Sequence, residues 1–434
     1  MRNAVAPSSD PGELRVKPVT ERSLPSEADE ATPRWLWPLL LAVPFLVGIA
    51  ALRGLTVEIN TFHGSDARVY HLPTILQFRD QLPGVTLHSY PAAQTPLFHL
   101  VFALYGKVVG FQLWKLRLLE VLVSYLAVLV LFRFLVHGFG LRRPQACALA
   151  LVFALSPYFL GASFTLLTDN LAILFGLLAL ERFHRYRADG SLGTFALGAT
   201  AMGAAVLTRQ SFLWLALVAA YVVLSTEAPS GRRAAAIGIA AAALAPFAAL
   251  VVDWGGLVPP GSDPASCGLC NSRPGVGHDR ITLRTVAFCV ALAGLYAAAL
   301  YGPIVAARLG RLRVRPALVL APLAAGAVVL AIAPLEYRPI VPGQAGDAGY
   351  LWKLADHTPV VLSSELLFWA LVPAGVLALF VLLRRAGPAS TPSLFLASFL
   401  VAALPVRLVY QKYFDPFVLL ALLLLVSDRA RRPA

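Results

Sequence analysis

Leu97-Phe98-His99-Leu100-Val101-Phe102-Ala103-Leu104-Tyr105-Gly106-Lys107-Val108-Val109 is the stretch on which the topology turns. A helix that crosses a bilayer needs about 20 predominantly apolar residues. This run is shorter, and it carries His99 and Lys107, so it reads as an interfacial or re-entrant helix. With it left out, twelve transmembrane segments remain, near 35–54, 118–137, 146–167, 170–183, 193–207, 211–226, 234–252, 285–307, 316–335, 359–383, 392–406 and 414–427. With the N-terminus inside, every tight basic cluster then falls on the cytoplasmic side: Arg142-Arg143, Arg182/Arg185/Arg187, Arg232-Arg233, Arg308/Arg311/Arg313/Arg315, Arg384-Arg385 and Arg429/Arg431/Arg432. Were 97–109 to cross, all of these would flip outside, against the positive-inside rule. Charge placement decides for twelve.

Composition agrees with a chain built for lipid. Of its 434 residues 58% are apolar and 14% charged, and the mean hydropathy is +0.72. Soluble domains hold about 45–50% apolar and about 25% charged residues. The apolar runs have helix length and lack the alternation of an outer-membrane barrel, so the expected fold is all-α and polytopic. The net charge of +13 is spread over short loop clusters that encode orientation, and nucleic acid is not an expected partner. Of the four cysteines, Cys147 and Cys289 sit in apolar runs as small packing residues. Cys267 and Cys270 form a lone C-x-x-C, a weak zinc signal that fits a local disulfide better if the loop is periplasmic.

Residues 1–33 are rich in Pro, Ser, Glu and Asp and read as a disordered cytoplasmic tail. Residues 34–427 form the membrane domain, with 55–117 as a long first external loop holding interfacial helices, and 428–434 as a second cytoplasmic tail. The external face then receives 55–117, Thr168-Asp169, Arg209-Gln210, 253–284, 336–357 and Arg407 to Tyr413. Nearly every chemistry-bearing residue lies on that face. No internal repeat is evident, which weakens an inverted-repeat transporter.

Gly64-Ser65-Asp66-Ala67-Arg68-Val69-Tyr70-His71-Leu72-Pro73 opens the first loop. Asp66, beside Arg68 and His71, can act as a general base toward a sugar hydroxyl; the alternative is an N-cap for a helix from Ala67, interrupted early by Pro73. Asp169, in Leu167-Thr168-Asp169-Asn170, is in the same position: a functional acid, or with Thr168 a cap for the next helix. Arg209-Gln210 breaks the apolar stretch from Phe195 to Leu224. An arginine at that depth points to phosphate binding or a carboxylate partner, against a plain turn between short helices. Arg407-Leu408-Val409-Tyr410-Gln411-Lys412-Tyr413 holds cations and tyrosines that suit a lipid phosphate and a sugar face, or an ordinary interfacial belt. No P-loop, dinucleotide fingerprint, nucleophile elbow or H-E-x-x-H is present, so a transferase here needs a donor that carries its own activation.

These pieces resemble the GT-C superfamily of multispanning glycosyltransferases. Within it, they are similar to the dolichyl-phosphate-glucose-dependent alpha-1,2-glucosyltransferase family. Tyr70-His71-Leu72-Pro73 after Asp66 resembles that family's acidic first-loop motif, and Gln94-Thr95-Pro96-Leu97-Phe98 its T-T-x-P segment. Thr208-Arg209-Gln210-Ser211-Phe212-Leu213-Trp214 resembles its R-Q-T-N-I-x-W, and Lys412-Tyr413-Phe414-Asp415-Pro416-Phe417 its C-terminal R-Y-Y-x-x-P. The departures are a missing second acid, whose place falls on Ala67 or Arg68, and Lys412 where an arginine is usual. The resemblance implies an inverting transferase with its site on the external face; the Ala- and Arg-rich, Lys-poor composition suggests a bacterial chain from a GC-rich genome, so that face would be the periplasmic side of the inner (plasma) membrane. It would move glucose or another hexose or pentose from a polyprenyl-phosphate carrier to a lipid-linked or cell-envelope glycan. It implies Asp66 as base, Asp169 as acceptor orienter, and His71, Tyr90, Arg209, Gln210, Arg407, Tyr410 and Lys412 around the substrates. A divalent cation, Mg or Mn, is open, the lost acid arguing mildly against it. The rival readings are a transporter or flippase for a lipid-linked or anionic solute, and an inactive scaffold.

Overall fold

The computed structural model describes residues 33–57, 62–226, 229–262, 282–308, 316–339, 346–406 and 409–429. The expected N-terminal tail, the C-x-x-C pair, Arg407 and the last five residues lie outside them. Among the described residues the regular structure is helical, apart from a hairpin of two two-residue strands.

Every expected segment coincides with helix over most of its length. In order these are α1 (Leu36–Ala51), α5 (Leu113–Arg133), α6 (Arg143–Ala154) with α7 (Pro157–Ala162), α8 (Thr168–Asp189), α9 (Leu192–Thr208), α10 (Trp214–Ser225), α11 (Ser230–Trp254), α12 (Arg284–Arg308), α13 (Ala317–Ile332), α15 (Leu366–Ala386), α16 (Thr391–Ala403) and α17 (Asp415–Arg429). Between α1 and α5 lie α2 (Phe62–Asp66), α3 (Leu72–Gln81) and α4 (Leu97–Val109), and α14 (Tyr350–Ala355) precedes α15. Four helices are long and apolar enough to cross a membrane by length and composition: Leu113–Gly138, Ser230–Trp254, Arg284–Gly302 and Leu366–Ala386. Several of the others are only 12 to 17 residues long. α4 is one of these, and its buried face carries Phe98, His99, Phe102, Ala103 and Gly106.

Four local expectations are corrected. Asp66 is no N-cap: it ends α2 in helical geometry, with no capping bond, and runs straight into a π-turn over Ala67–His71. Pro73 does not stop the helix, because it sits in the first turn of α3, where a missing N–H costs nothing. The segment near 146–167 is two helices broken at Leu155-Ser156 ahead of Pro157, and 359–365 holds the strands Val360–Val361 and Ser364–Glu365 rather than helix. The residue before a proline is biased away from helix, which accounts for Ser156.

Polar side chains stitch the apolar bundle. Asn170 Nδ2 donates to Ser124 Oγ at 2.8 Å, Ser163 Oγ at 3.1 Å and the Phe159 carbonyl at 3.2 Å, joining α5, α7 and α8. Arg117 donates to the Leu55 and Val57 carbonyls and ties the start of the first loop to α5. At the opposite end, His184 links α8 to Thr391 of α16 and to the Gly138 carbonyl. α8 stops at Gly190, whose φ of +60 reverses the chain into α9.

α12 and α15 cross with their backbones in close approach. A methyl at Gly294 would lie 2.0 Å from the Leu371 carbonyl oxygen, and one at Gly375 would lie 2.0 Å from the Val290 carbonyl oxygen. Small residues at such crossings let backbones touch where lipid gives no hydrophobic drive. Gly294→Leu or Gly375→Leu is therefore expected to destabilise the protein by about 3 kcal/mol or more. Gly238→Ala on α11, with nothing within 4 Å, should be neutral or stabilising by up to about 1 kcal/mol. Thermal unfolding in detergent checks both.

Candidate active site

Two ion pairs from four distant parts of the chain meet at one end of the bundle. Asp66 Oδ2 pairs with Lys412 Nζ. Asp169 Oδ1 pairs with Arg209 Nη1 at 2.5 Å. All four side chains are at least three-quarters removed from solvent, with 22%, 9%, 19% and 13% exposure for Asp66, Lys412, Asp169 and Arg209. Arg182, Arg185 and Arg187 lie in the later turns of α8, whose first turn carries Asp169, so this basic cluster stands at the other end of that helix from the site.

Each of the four is placed by a break in helix. The π-turn after Asp66 carries the extra residue that turns Asp66 inward; such turns are often found at functional sites. Asp169 lies in the first turn of α8, where the helix dipole favours an anion. Its expected capping role is not seen: Leu167 is the N-cap and no side chain caps it. Arg209 is extended, with φ −156 and ψ 113, between α9 and a 3₁₀ turn over Gln210–Leu213. Lys412 rides a 3₁₀ turn, Gln411–Tyr413, ahead of α17. That turn is pinned from both sides. Gln411 Nε2 donates to Asp415 at 2.9 Å, its Oε1 accepts from Leu351 N at 2.8 Å, and Trp352 Nε1 donates to the Val409 carbonyl at 2.9 Å. Asp415 is itself held by the Tyr296 hydroxyl at 2.6 Å and by Ser156.

The other expected site residues divide into groups. His71 is buried against His99, Nδ1 to Nε2 at 3.0 Å, with the rings stacked. Burial, then the nearby Lys412 and Arg209 charges, lower its pKa to about 3, so it is a neutral imidazole. Burial also pushes the Lys412 ammonium down, but Tyr413 and Asp66 outweigh it and hold it above the ordinary lysine value. Gln210 donates to the Ala93 carbonyl at 2.7 Å and fixes the loop before α4. Tyr90 packs among Phe78, His99 and Trp254 and donates to the Gln94 carbonyl at 2.8 Å, one layer behind the ion pairs. Tyr410 packs at a tilt against Tyr413, centroids 5.7 Å apart.

An apolar cleft of about 260 Å³ opens from Arg209 and Tyr413. Trp214, Phe247, Leu257, Phe399 and Phe417 line it, and Gln94 and Gln210 sit at its polar end. Among the described residues no three His, Cys, Asp or Glu side chains are grouped to hold a metal. Asp66 and Asp169 each already carry a cation, so the donor set does not fit a divalent ion without displacing Lys412 and Arg209.

Sequence reasoning misses Glu120. Its side chain, on α5, is fully buried and neither carboxyl oxygen has a hydrogen-bond partner among the described residues. The signal is present in the sequence, as one acid inside an apolar helix.

A family profile described as dolichyl-phosphate-mannose-protein mannosyltransferase matches residues 93–252, less than half of the chain. The matched region holds Asp169, Arg209 and Gln210 and stops short of Lys412. No curated protein matches the chain. Two solved structures are similar in fold: ArnT from Cupriavidus metallidurans bound to undecaprenyl phosphate, and the same protein in the apo state. Each is 14% identical over 92% of this chain and 78% of that one, with TM-scores of 0.43 and 0.40. The profile match supports the resemblance to the GT-C superfamily at that level and carries the narrower glucosyltransferase likeness no further.

His71 gives this end of the molecule a pH signature. The unfolded imidazole takes its proton near about pH 6.5, the folded one near about 3. Between those values the unfolded chain binds more protons, so stability is complete above about pH 6.5 and falls as pH drops. His71→Gln is expected to flatten that fall between about pH 7 and about pH 5, where each such imidazole costs up to about 1.4 kcal/mol per unit. Melting temperatures across that range, unchanged in slope by the substitution, would refute the neutral assignment.

Proposed function

We propose that this protein is a membrane glycosyltransferase that moves a sugar from a polyprenyl-phosphate carrier to an acceptor hydroxyl. The observation that carries the reading is the convergence of the Asp66–Lys412 and Asp169–Arg209 ion pairs, with Arg209 itself lining an apolar, aromatic-walled cleft. An apolar cleft suits a lipid tail, and Arg209 on its wall with Lys412 nearby suits that lipid's phosphate. Carboxylates beside them suit proton removal from the incoming hydroxyl.

The step balances as follows. Asp66 takes the proton of the acceptor hydroxyl while that oxygen bonds to the anomeric carbon. The bond from the anomeric carbon to phosphate oxygen breaks, and its electrons leave with the polyprenyl phosphate. Arg209 and Lys412 stabilise the charge that collects there, and displacement from the opposite face inverts the anomeric centre. At rest Asp66 is engaged by Lys412, so the donor phosphate draws Lys412 away and frees the base. Asp169 stays near Arg209 and orients the acceptor. His71, neutral and buried, supports the helix that carries Asp66. The sugar is glucose or another hexose or pentose, the acceptor a lipid-linked or cell-envelope glycan, and the site faces the periplasm of an inner membrane.

A panel of labelled polyprenyl-phosphate sugars, offered to proteoliposomes with native lipid extract as acceptor, tests this. Wild type should move label into a new product. Asp66→Asn is expected to lose about 10²- to 10⁴-fold in rate, the span of general-base contributions. Lys412→Met should raise the donor KM about tenfold or more, since a charge-assisted contact is lost. Labelled lipid crossing the bilayer equally in wild type and Asp66→Asn, with no product from any donor, would instead favour a flippase.

A further inference from the structure

Arg209 and Lys412 come from opposite parts of the sequence, yet one aromatic ring serves both. Arg209 Cζ lies 4.8 Å from the centroid of the Tyr413 ring, and Lys412 Nζ lies 5.1 Å from it. Tyr413 also lines the apolar cleft beside Arg209. The ring is held in place. Tyr410 packs on it, and the 3₁₀ turn beneath it is locked by Gln411 between Leu351 and Asp415.

Two cations on one ring repel each other. At rest Asp66 and Asp169 offset that repulsion. In the mechanism above, Lys412 gives up Asp66 as the donor phosphate arrives while Asp169 stays near Arg209, whereas the ring is a contact that both cations keep throughout. A ring under two cations fixes their separation before the ligand binds, and such preorganisation lowers the entropy that binding must overcome.

We propose that Tyr413 is a positioning residue whose π face holds Arg209 and Lys412 as a two-pronged receptor for a single lipid-borne phosphate group. The proposal rests on the function given above. It assigns the work to the electron density of the ring rather than to the hydroxyl. Tyr413 touches no reacting atom; it acts through the two cations.

The test measures binding, independent of transfer. Purified protein in nanodiscs is titrated with polyprenyl phosphate lacking any sugar. Tyr413 is replaced by Phe, and then by mono-, di- and trifluorinated phenylalanines, which keep the ring's shape while drawing electrons off its face. Tyr413→Phe should retain most of the affinity, within about threefold, and affinity should then fall stepwise with fluorine, reaching about tenfold across the series. Melting of the unliganded variants should stay level across the series, separating the effect from packing. A flat fluorine series overturns the proposal. So does a large loss on Tyr413→Phe with no further change on fluorination, which would assign the contact to the hydroxyl. If wild type itself fails to bind polyprenyl phosphate, the functional reading beneath the proposal falls with it, an outcome distinct from a flat series around tight binding.

Discussion

The salt bridge between Asp66 and Lys412 spans 346 positions of sequence, and with its neighbour Asp169–Arg209 it sets the terms for this end of the bundle. An uncompensated charge moved away from water costs several kcal/mol even after relaxation. Neither acid can therefore be buried unless its cation is delivered to it, and neither cation unless its acid is. Three irregular elements are the price of that delivery: the π-turn at Ala67–His71, the extended residue at Arg209 and the 3₁₀ turn at Gln411–Tyr413. Each gives up regular helix bonding to turn a side chain inward, and each is backed by a polar contact that makes the irregular form the stable one.

The backing contacts follow one rule. Apolar side chains do not distinguish a neighbouring helix from lipid, so helix placement in such a chain falls to close packing and shared hydrogen bonds. Asn170 bonds three partners from α5 and α7, and it sits next to Asp169 in the first turn of α8. The same residue pair thus anchors the helix and presents the acid. Asp415 does similar work for Lys412 through Gln411, and Arg284 bonds Asp347 at 2.5 Å and 2.8 Å to hold the segment leading into α14. Structural and functional polar groups alternate along the chain because the latter need rigid neighbours.

Helix positions were legible in the sequence because apolar runs bounded by charge clusters are a strong, local signal. α4 keeps the bounds read for it, Leu97–Val109, since its length and its His99 and Lys107 mark it off from the spans. What happens at helix ends was less legible. Asp66 and Asp169 both look like caps, because Asp is common at that position, and neither caps anything; a tertiary ion pair outcompetes a local bond worth about 1 kcal/mol. The hairpin at Val360–Glu365 and the break at Leu155-Ser156 were hidden inside apolar runs that satisfy a helical period equally well. That Lys412 would meet Asp66 is a pairing across almost the full chain, and no local pattern encodes it. In the sequence Tyr413 fits a sugar face and an interfacial belt equally well, and its place under two cations emerges only with Arg209 beside it.

The two-pair arrangement has a further consequence for chemistry in a low-dielectric site. Arg209, Lys412, Asp66 and Asp169 sum to zero charge. A phosphodiester-linked sugar donor brings one negative charge to this cluster. On the proposed mechanism Asp66 gains a proton and becomes neutral during transfer, while the departing polyprenyl phosphate monoester gains the second negative charge. The total is the same before and after. Charge moves from the carboxylate to the phosphate, within reach of the same two cations, and none is created or destroyed at a depth where creating one is expensive. A site with one cation would leave either the resting acid or the leaving phosphate uncompensated. The pairing seen at rest is, on the proposed mechanism, the arrangement that keeps both ends of the reaction electrically balanced.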